Sequence, residues 1–147
     1  MRRLVFALGF VMSQPAFADW LTLTGTPGDP GSDSIQVDPT SLHSNGDIRL
    51  LDVRVSRSAQ RVNAEGITYR SYDSKIAVNC RESSARYTWA RFFASPNFQG
   101  DINREKNYPD VNLRPVLFWG IPGGHVGRLI RAACRAGEIG QVSVDVP

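Results

Sequence analysis

The residues in this sequence best suited to chemistry are two cysteines and two histidines. Cys80, Cys134, His43 and His125 are the only residues of their types. A protein metal site generally needs three or four ligands at recognisable spacing, and neither histidine has acidic or cysteine ligands patterned near it. The sequence therefore predicts no metal and no cofactor. Both histidines are interpreted as solvated loop residues.

Nucleophilic catalysis requires a nucleophile, a base within reach and often an orienting group. None of the serines lies in a motif with histidine and aspartate. Paired carboxylates leave no sequence signature, so a catalytic pair of that kind stays open. Gly123-Gly124 before a helix can offer N–H groups to an anion, but a flexible helix entry accounts for the pair as well. The sequence predicts no enzyme and identifies no catalytic or ligand-binding residue.

Residues 1–18 have the composition of an export signal. A short basic start precedes the apolar residues 4–12, and residues 16–18 form a small-x-small cleavage pattern. The apolar stretch is shorter than the roughly 20 residues of a membrane-spanning helix. Because no cysteine lies at the cleavage point, a lipoprotein is not expected. After cleavage near Ala18 we expect a periplasmic or secreted chain with no stable membrane insertion.

The mature chain is nearly neutral. The full sequence has 17 Lys and Arg against 14 Asp and Glu, and removal of Arg2 and Arg3 leaves 15 against 14. Nucleic-acid binding needs a concentrated basic footprint, so no nucleic-acid partner is predicted. The 129 residues that remain of 147 fit one domain, which we place at 19–137.

β-Strands are predicted where β-branched and aromatic residues alternate with polar ones between turn signals. The stretches with this pattern are 20–24, 34–37, 48–56, 69–80 and 85–94. A bulge near Leu50 and Leu51 would place the apolar side chains of 48–56 on one face. The segments expected between strands are a turn or one helical turn at 38–42, a turn at 45–47, a polar connection at 57–68 and a long loop at 95–124, which can include a short strand at 116–119.

One helix is predicted in the mature chain, after Gly123-Gly124. Apolar residues at i, i+3, i+4, i+7 and i+8 form one stripe, made of Val126, Leu129, Ile130, Ala133 and Cys134. Three arginines lie on the opposite, solvated side, at 128, 131 and 135. Gly137 is placed as a C-terminal stop, and residues 138–147 form either an edge strand or a disordered tail.

The two cysteines are expected to form a disulfide. Cys80 follows the inward alternation of the strand at 69–80, and Cys134 belongs to the helix stripe that must pack on the sheet. Export places both in an oxidising compartment, and closing a loop of about 55 residues would stabilise the fold by about 4 kcal/mol in a chain-entropy model. The predicted fold class is α+β: a single antiparallel β-sheet with a C-terminal α-helix packed on it and tied by the Cys80–Cys134 disulfide.

A series of short motifs runs along almost the whole mature chain. In order they are Asp19-Trp20, Val37-Asp38-Pro39-x-Ser41-Leu42, Gly46-Asp47, Tyr69-Arg70-Ser71, Val78-Asn79-Cys80, Arg86-Tyr87, Trp119, Pro122-Gly123, Leu129 and Ala133-Cys134. Their order and spacing resemble the surface-adhesin protein E family. The resemblance implies the same sheet with a helix tied to it through the two cysteines, binding of host extracellular proteins, and an ability to dimerise.

This chain departs from the family pattern in two ways. It lacks a lipid-attachment cysteine, so outer-membrane anchoring does not carry over, and it has His125 where relatives often have serine before the helix. No stretch matches a host-binding segment. The resemblance therefore identifies no ligand-contacting residue.

Three functional hypotheses remain, and the first is favoured. It is an exported, non-catalytic binding or adhesion module that recognises host extracellular or cell-envelope proteins, with a homodimer left open. The alternative is a periplasmic structural or envelope-assembly accessory protein, which the missing lipid anchor favours. The third is a small hydrolase or small-ligand carrier that uses the loop at 95–124 as a lid.

Overall fold

The computed structural model describes residues 19–139. The predicted export signal at 1–18 and residues 140–147 of the predicted tail lie outside the described residues. Within residues 19–139 the chain forms seven β-strands, one 3-10 turn and one α-helix. No helix in this range is long and apolar enough to cross a membrane.

The strands form a single antiparallel sheet, as predicted, in the spatial order β1 to β6 with β7 paired beside β5. They are β1 (Leu21–Thr24), β2 (Ser34–Asn45), β3 (Ile48–Val62), β4 (Thr68–Asn79), β5 (Ser84–Phe93), β6 (Ile102–Asn107) and β7 (Arg114–Pro115). Neighbours from β1 to β6 are consecutive in sequence, so short hairpin connections suffice. The turn predicted at 45–47 is one of them: Asn45 pairs with Ile48, and Gly46 has a φ of 60°, which glycine adopts at little cost.

The bulge predicted near Leu50 and Leu51 in β3 is wrong. Residues 48–56 pair with β4 without any register shift. Strict alternation therefore buries Leu51 and leaves Leu50 exposed on the other face. The strand tolerates an exposed leucine at position 50 because three successive inward-facing residues, Leu51, Val53 and Val55, already pack into the core.

The irregularity lies instead in β2, which pairs on the other side of β3. Residues 39–42 are inserted between the pairs Asp38–Asp52 and His43–Leu50. The segment predicted as a turn is thus a large bulge within a strand, a position where Pro39 removes no ladder hydrogen bond. Ser41 Oγ stabilises the bulge, since it donates to the Asp38 carbonyl at 2.6 Å and accepts from the Asp52 N–H at 2.8 Å.

We call the side of the sheet that carries Leu51, Val53 and Val55 the inner face. The register places further buried residues on this face, namely Ile35, Val37, Tyr72, Ile76, Val78, Ala90 and Phe92. The helix α1 (His125–Ile139) packs on β2 to β5. Its buried residues Leu129 and Ala133 come from the predicted apolar stripe, which confirms the α+β fold class.

The disulfide between Cys80 and Cys134 ties the end of β4 to α1, with 5.7 Å between the two Cα atoms. Arg128, Arg131 and Arg135 lie exposed on the far side of the helix. The helix runs past Gly137 to Ile139, so the predicted stop is wrong. A single glycine inside a helix costs only about 1 kcal/mol, which does not by itself end the helix.

His125 is buried at the start of α1, so its prediction as a solvated loop residue is wrong. The ring folds back over the helix entry, where Nε2 lies 2.7 Å from the Pro122 carbonyl oxygen and Nδ1 contacts the Arg128 guanidinium. A side chain at Gly123 would meet this ring. His43 is exposed, but it belongs to β2 rather than to a turn.

The opposite, outer face of the sheet is covered by paired polar and charged groups. One row across the strands contains Gln36, Arg54, Asp73, Arg91 and Glu105. Arg54 Nε donates to the Gln36 amide oxygen at 2.9 Å and Arg91 donates to Asp73 at 2.8 Å. Glu105 accepts a hydrogen bond from Trp89 Nε1 at 2.8 Å, and Arg91 Nε is buried without a partner among residues 19–139.

The outer-face arginines also contact aromatic rings. The Arg54 guanidinium lies between Trp20 and Phe98, 4.2 Å and 4.8 Å from the two ring centres. Phe98 belongs to the 3-10 turn Pro96–Phe98, and the Ser71 hydroxyl accepts a hydrogen bond from its N–H at 2.9 Å. Such cation–π contacts cover the ring faces that a ligand would otherwise use.

Candidate binding cavity

The inner face is covered by the helix over only part of its area. Beside the helix, a cavity of about 480 Å³ opens on this face. None of the described residues of α1 lines it. The walls come instead from β3, β4, β5, the hairpin connection after β3, and the chain around β7. The volume lies within the range of about 300–1,000 Å³ that is typical of ligand sites.

Seven of the sixteen residues that line the cavity are aromatic. They are Tyr69, Tyr72, Tyr87, Phe92, Tyr108, Phe118 and Trp119. The Tyr69, Tyr72 and Phe92 rings pack edge-on or tilted, with centres 5.4–5.6 Å apart, an arrangement favoured by the ring quadrupoles. This cluster is the part of the inner face that the helix leaves open.

Two of the tyrosines are joined by a hydrogen bond, with 2.7 Å between the hydroxyl oxygens of Tyr72 and Tyr87. Burial raises the pKa of both phenols well above the ordinary value of 10.0. Both hydroxyls are therefore protonated at neutral pH. The Tyr69 hydroxyl has no hydrogen-bond partner within residues 19–139 and stays available to a ligand.

A second polar cluster centres on Glu65, in the connection between β3 and β4. Tyr108 donates a hydrogen bond to Glu65 at 2.8 Å, Lys106 Nζ lies 3.0 Å away, and Arg114 Nε lies 3.6 Å away. Burial alone raises the pKa of Glu65, but hydrogen bonds from Lys106 and Tyr108 and the charge of Arg114 outweigh it and hold that pKa below 4.5. The ionised carboxylate joins β6, β7 and the β3–β4 connection into one wall.

Arg57, near the middle of β3, anchors the opposite side of the cavity. Its side chain is only 3% exposed, Nε contacts the Asp33 carboxylate at 3.1 Å, and Nη1 donates to the Trp119 carbonyl at 2.6 Å. Nη2 is buried without a hydrogen-bond partner among residues 19–139. Arg57 thus places a guanidinium charge beside the tyrosines, and its field opposes the burial that raises their pKa values.

The chain from Leu113 to Trp119, which we call the strap, forms the outer rim. Its side chains alternate: Val116 and Phe118 are buried, whereas Leu113, Pro115, Leu117 and Trp119 are exposed. It is attached to the sheet by β7, by the hydrogen bond from Val116 N to Ala85 O, and by the hydrogen bond from Arg57 to the Trp119 carbonyl. Trp119 is 82% exposed and Leu117 55%. An exposed apolar row of this kind beside a cavity is typical of a binding surface.

Several expectations for this region are wrong. The segment 57–68 is not a polar connection, because β3 continues to Val62. The loop at 95–124 contains β6 and β7, and the short strand lies at Arg114–Pro115 rather than at 116–119. Strap residues line the cavity, and the hypothesis that this loop acts as a lid stays a prediction.

Sequence reasoning identified none of the cavity residues as a site. One sequence feature did point to this region: the aromatic residues of 85–94 lie on both faces of the strand. Aromatic side chains that no helix covers must pack against another segment or bind a ligand. Arg57 had no such signal, since its partners lie 24 and 62 positions away in the chain. None of the residues singled out for chemistry lines the cavity: Cys80 and Cys134 form the disulfide, and His43 and His125 lie elsewhere. Residues 19–139 contain no group of three or more potential metal ligands.

Comparison with known proteins places the chain in a family. The model of the family described as surface-adhesin protein E matches residues 20–135. No curated protein matches the sequence. Among solved structures, crystal form II of Haemophilus influenzae protein E matches with 16% identity, a TM-score of 0.44, and coverage of 69% of this chain and 80% of that one.

A crystal structure of protein E from non-typeable Haemophilus influenzae also matches, with 14% identity, a TM-score of 0.41, and coverage of 74% and 72%. The family match begins just before β1 and ends within α1. It includes both cysteines and every residue named in the cavity wall. The chain belongs to the surface-adhesin protein E family.

Proposed function

We propose that this protein is an exported, non-catalytic binding module that adheres to host extracellular or cell-envelope proteins. The proposal is supported by the family, which is one of surface adhesins. The observation that carries it is the aromatic cavity with its exposed apolar rim on the strap. Aromatic residues surrounded by partly exposed apolar contacts are the usual composition of a protein-binding hot spot.

The chemistry of the lining favours binding over catalysis. The cavity wall contains no histidine, cysteine, serine or threonine among the described residues. Its carboxylate, Glu65, is already held by Tyr108 and Lys106. Since the raised pKa values of Tyr72 and Tyr87 keep them protonated, they do not serve as general bases near neutral pH.

The export proposal rests on residues 1–18 of the sequence and on the family. Cleavage near Ala18 would release a periplasmic or secreted protein without a lipid anchor or cofactor, and with a homodimer as one available assembly. Cell fractionation with added protease tests the destination. Surface or medium location supports adhesion, whereas strict periplasmic retention would replace adhesion with the envelope-accessory role.

Binding itself is tested with the immobilised mature protein, starting at Asp19, against purified host matrix proteins and envelope fractions. The variant Leu117→Ala should weaken saturable binding, because it removes part of the rim. Leu21→Ala is the matched control, since Leu21 on β1 is also a leucine with 55% exposure but lies at the other edge of the sheet. Absence of saturable binding, or equal losses in the two variants, would contradict the proposal.

A further inference from the structure

We propose that the cavity is a socket for an aromatic side chain carried by an acidic segment of a partner protein. This inference rests on the proposed protein-binding function and specifies the chemistry of its ligand. It follows from three properties of the site: the shape of the cavity, the balance of charges around it, and the nature of its rim.

The shape of the cavity fits a ring. Its volume of about 480 Å³ exceeds what one aromatic side chain needs, so part of the neighbouring peptide is accommodated as well. Tyr69, Tyr72 and Phe92 already contact one another, with ring centres 5.4–5.6 Å apart, and a ligand ring would pack against this cluster from the cavity. The free Tyr69 hydroxyl supplies one hydrogen-bonding group for the peptide backbone or for a phenol.

The charges around the cavity favour an acidic ligand. Around the cavity there are four cations and two carboxylates, an excess of two positive charges. The cations are Arg57, Arg61, Lys106 and Arg114, and the carboxylates are Asp33 and Glu65. The Arg86–Asp110 ion pair nearby adds no net charge. Arg61 pairs in register with Tyr69 and forms no ion pair within residues 19–139. A complementary negative segment would be attracted to this side.

The rim favours a protein segment over a free small molecule. The exposed apolar row of the strap continues from the cavity mouth along Leu117, Pro115 and Leu113. A small aromatic acid would fill the cavity and leave this row in water. A peptide bound through its aromatic side chain lays its flanking residues across the row and buries it.

The test uses capped synthetic peptides and the purified mature protein in isothermal titration. The first peptide has acidic residues flanking one central phenylalanine, and its controls replace the phenylalanine with alanine or the acids with lysine. Since burying an aromatic side chain is worth one to two powers of ten in affinity, the alanine peptide should bind at least about tenfold more weakly. The lysine peptide should bind more weakly than the acidic one, with the difference shrinking as salt is added.

Two exposed arginines provide matched variants. Arg61→Gln should weaken binding of the acidic peptide about threefold, as expected for one exposed charge. Arg135→Gln removes an exposed arginine from the helix and should leave binding unchanged. Neither residue packs in the core, so both variants should fold.

The outcomes separate this inference from the proposed function. Equal affinity for the phenylalanine and alanine peptides overturns the socket, as does equal affinity for free phenylpropionate and the peptide. Binding of a matrix or envelope protein that saturating peptide does not displace also overturns the socket but leaves the adhesion proposal standing. Peptide binding without saturable capture of any such protein supports the socket and contradicts adhesion.

Discussion

The inner face of the sheet is closed in two different ways. Over one part, α1 packs on β2 to β5 with Leu129 and Ala133 buried in the core, and the Cys80–Cys134 disulfide ties the two layers together. Over the other part, the strap is attached through Arg57, a single backbone hydrogen bond from Val116, and the two pairs of β7. The part that the helix packs on and the disulfide ties is a filled core, whereas the strap, which contributes Val116 and Phe118 to the core, leaves a cavity beside them.

If the cavity is the binding site proposed above, this difference separates the residues that stabilise the fold from those that bind. The helix-covered part buries aliphatic side chains such as Leu129, whose packing contributes to the free energy of folding. The strap-covered part also buries Val116, Phe118 and Arg57, but it leaves a cavity lined by aromatic rings, with the exposed Trp119 at its rim. Substitutions in the two parts should therefore have different consequences.

The largest expected effect comes from the helix-covered part. The double variant Cys80→Ala and Cys134→Ala opens a loop with a sequence separation of 54 and should lower the free energy of unfolding by about 4 kcal/mol in the chain-entropy model. Urea unfolding monitored by circular dichroism measures the loss. Affinity for a cavity ligand, measured where both proteins are folded, should stay unchanged because the bridge lies outside the cavity lining.

An unchanged unfolding midpoint would show that the helix-covered part does not depend on its covalent tie. Reduction of the unaltered protein by a thiol is the control, since it opens the same bridge without changing the sequence. A loss of ligand affinity that parallels the loss of stability would show that the two parts do not act separately.

The main elements of the helix-covered part could be predicted from the sequence alone. The stripe at 126, 129, 130, 133 and 134 and the alternation of 69–80 are local periodicities, and each places one cysteine on an inward face. Because the two patterns converge on one core, they predict the sheet, the helix and the disulfide together. Local patterns failed at Gly137 and at Leu50, where register and packing decided the outcome rather than the identity of one residue.

The cavity is not accessible to the same reasoning. Its walls combine residues from β3, β4, β5 and the strap, and its central ion pair joins Asp33 to Arg57. An arginine in an apparently polar segment is expected to be exposed. Arg57 is nevertheless buried, because the Asp33 carboxylate and the Trp119 carbonyl accept hydrogen bonds from its guanidinium. Contacts between positions so far apart in the chain have no local signature.

Asp33→Asn tests the strap-covered part through its buried charge. The variant leaves Arg57 without its carboxylate and should lower stability by about 2 kcal/mol at neutral pH, below the usual cost of a broken buried pair because Asp33 is 25% exposed. Burial alone raises the pKa of Asp33, but the Ser58 hydrogen bond and the Arg57 charge outweigh it and hold that pKa below 3.8.

The sign of the pH dependence follows from this lowered pKa. A carboxyl whose pKa is lower in the folded state contributes stability above its unfolded value of 3.8, and that contribution is lost as pH falls through the folded value. The stability gap between the protein and Asp33→Asn should therefore close as pH falls below about 3.8. Asp101→Asn removes an exposed carboxyl that forms no ion pair within residues 19–139 and should show neither effect. A gap that persists at low pH would exclude the ion pair as its cause.

The smallest expected effect concerns the tyrosines of the cavity wall. Tyr72→Phe keeps the ring packing but removes the 2.7 Å hydrogen bond to Tyr87, so the free energy of unfolding should fall by about 1 kcal/mol. Tyr69→Phe is the matched control, because the Tyr69 hydroxyl has no partner within residues 19–139; it should leave stability unchanged and weaken only ligand binding. Equal stability losses in the two variants would mean that the hydrogen bond between Tyr72 and Tyr87 does not stabilise the cavity wall. The wall would then be stabilised by apolar packing, as the core beneath the helix is.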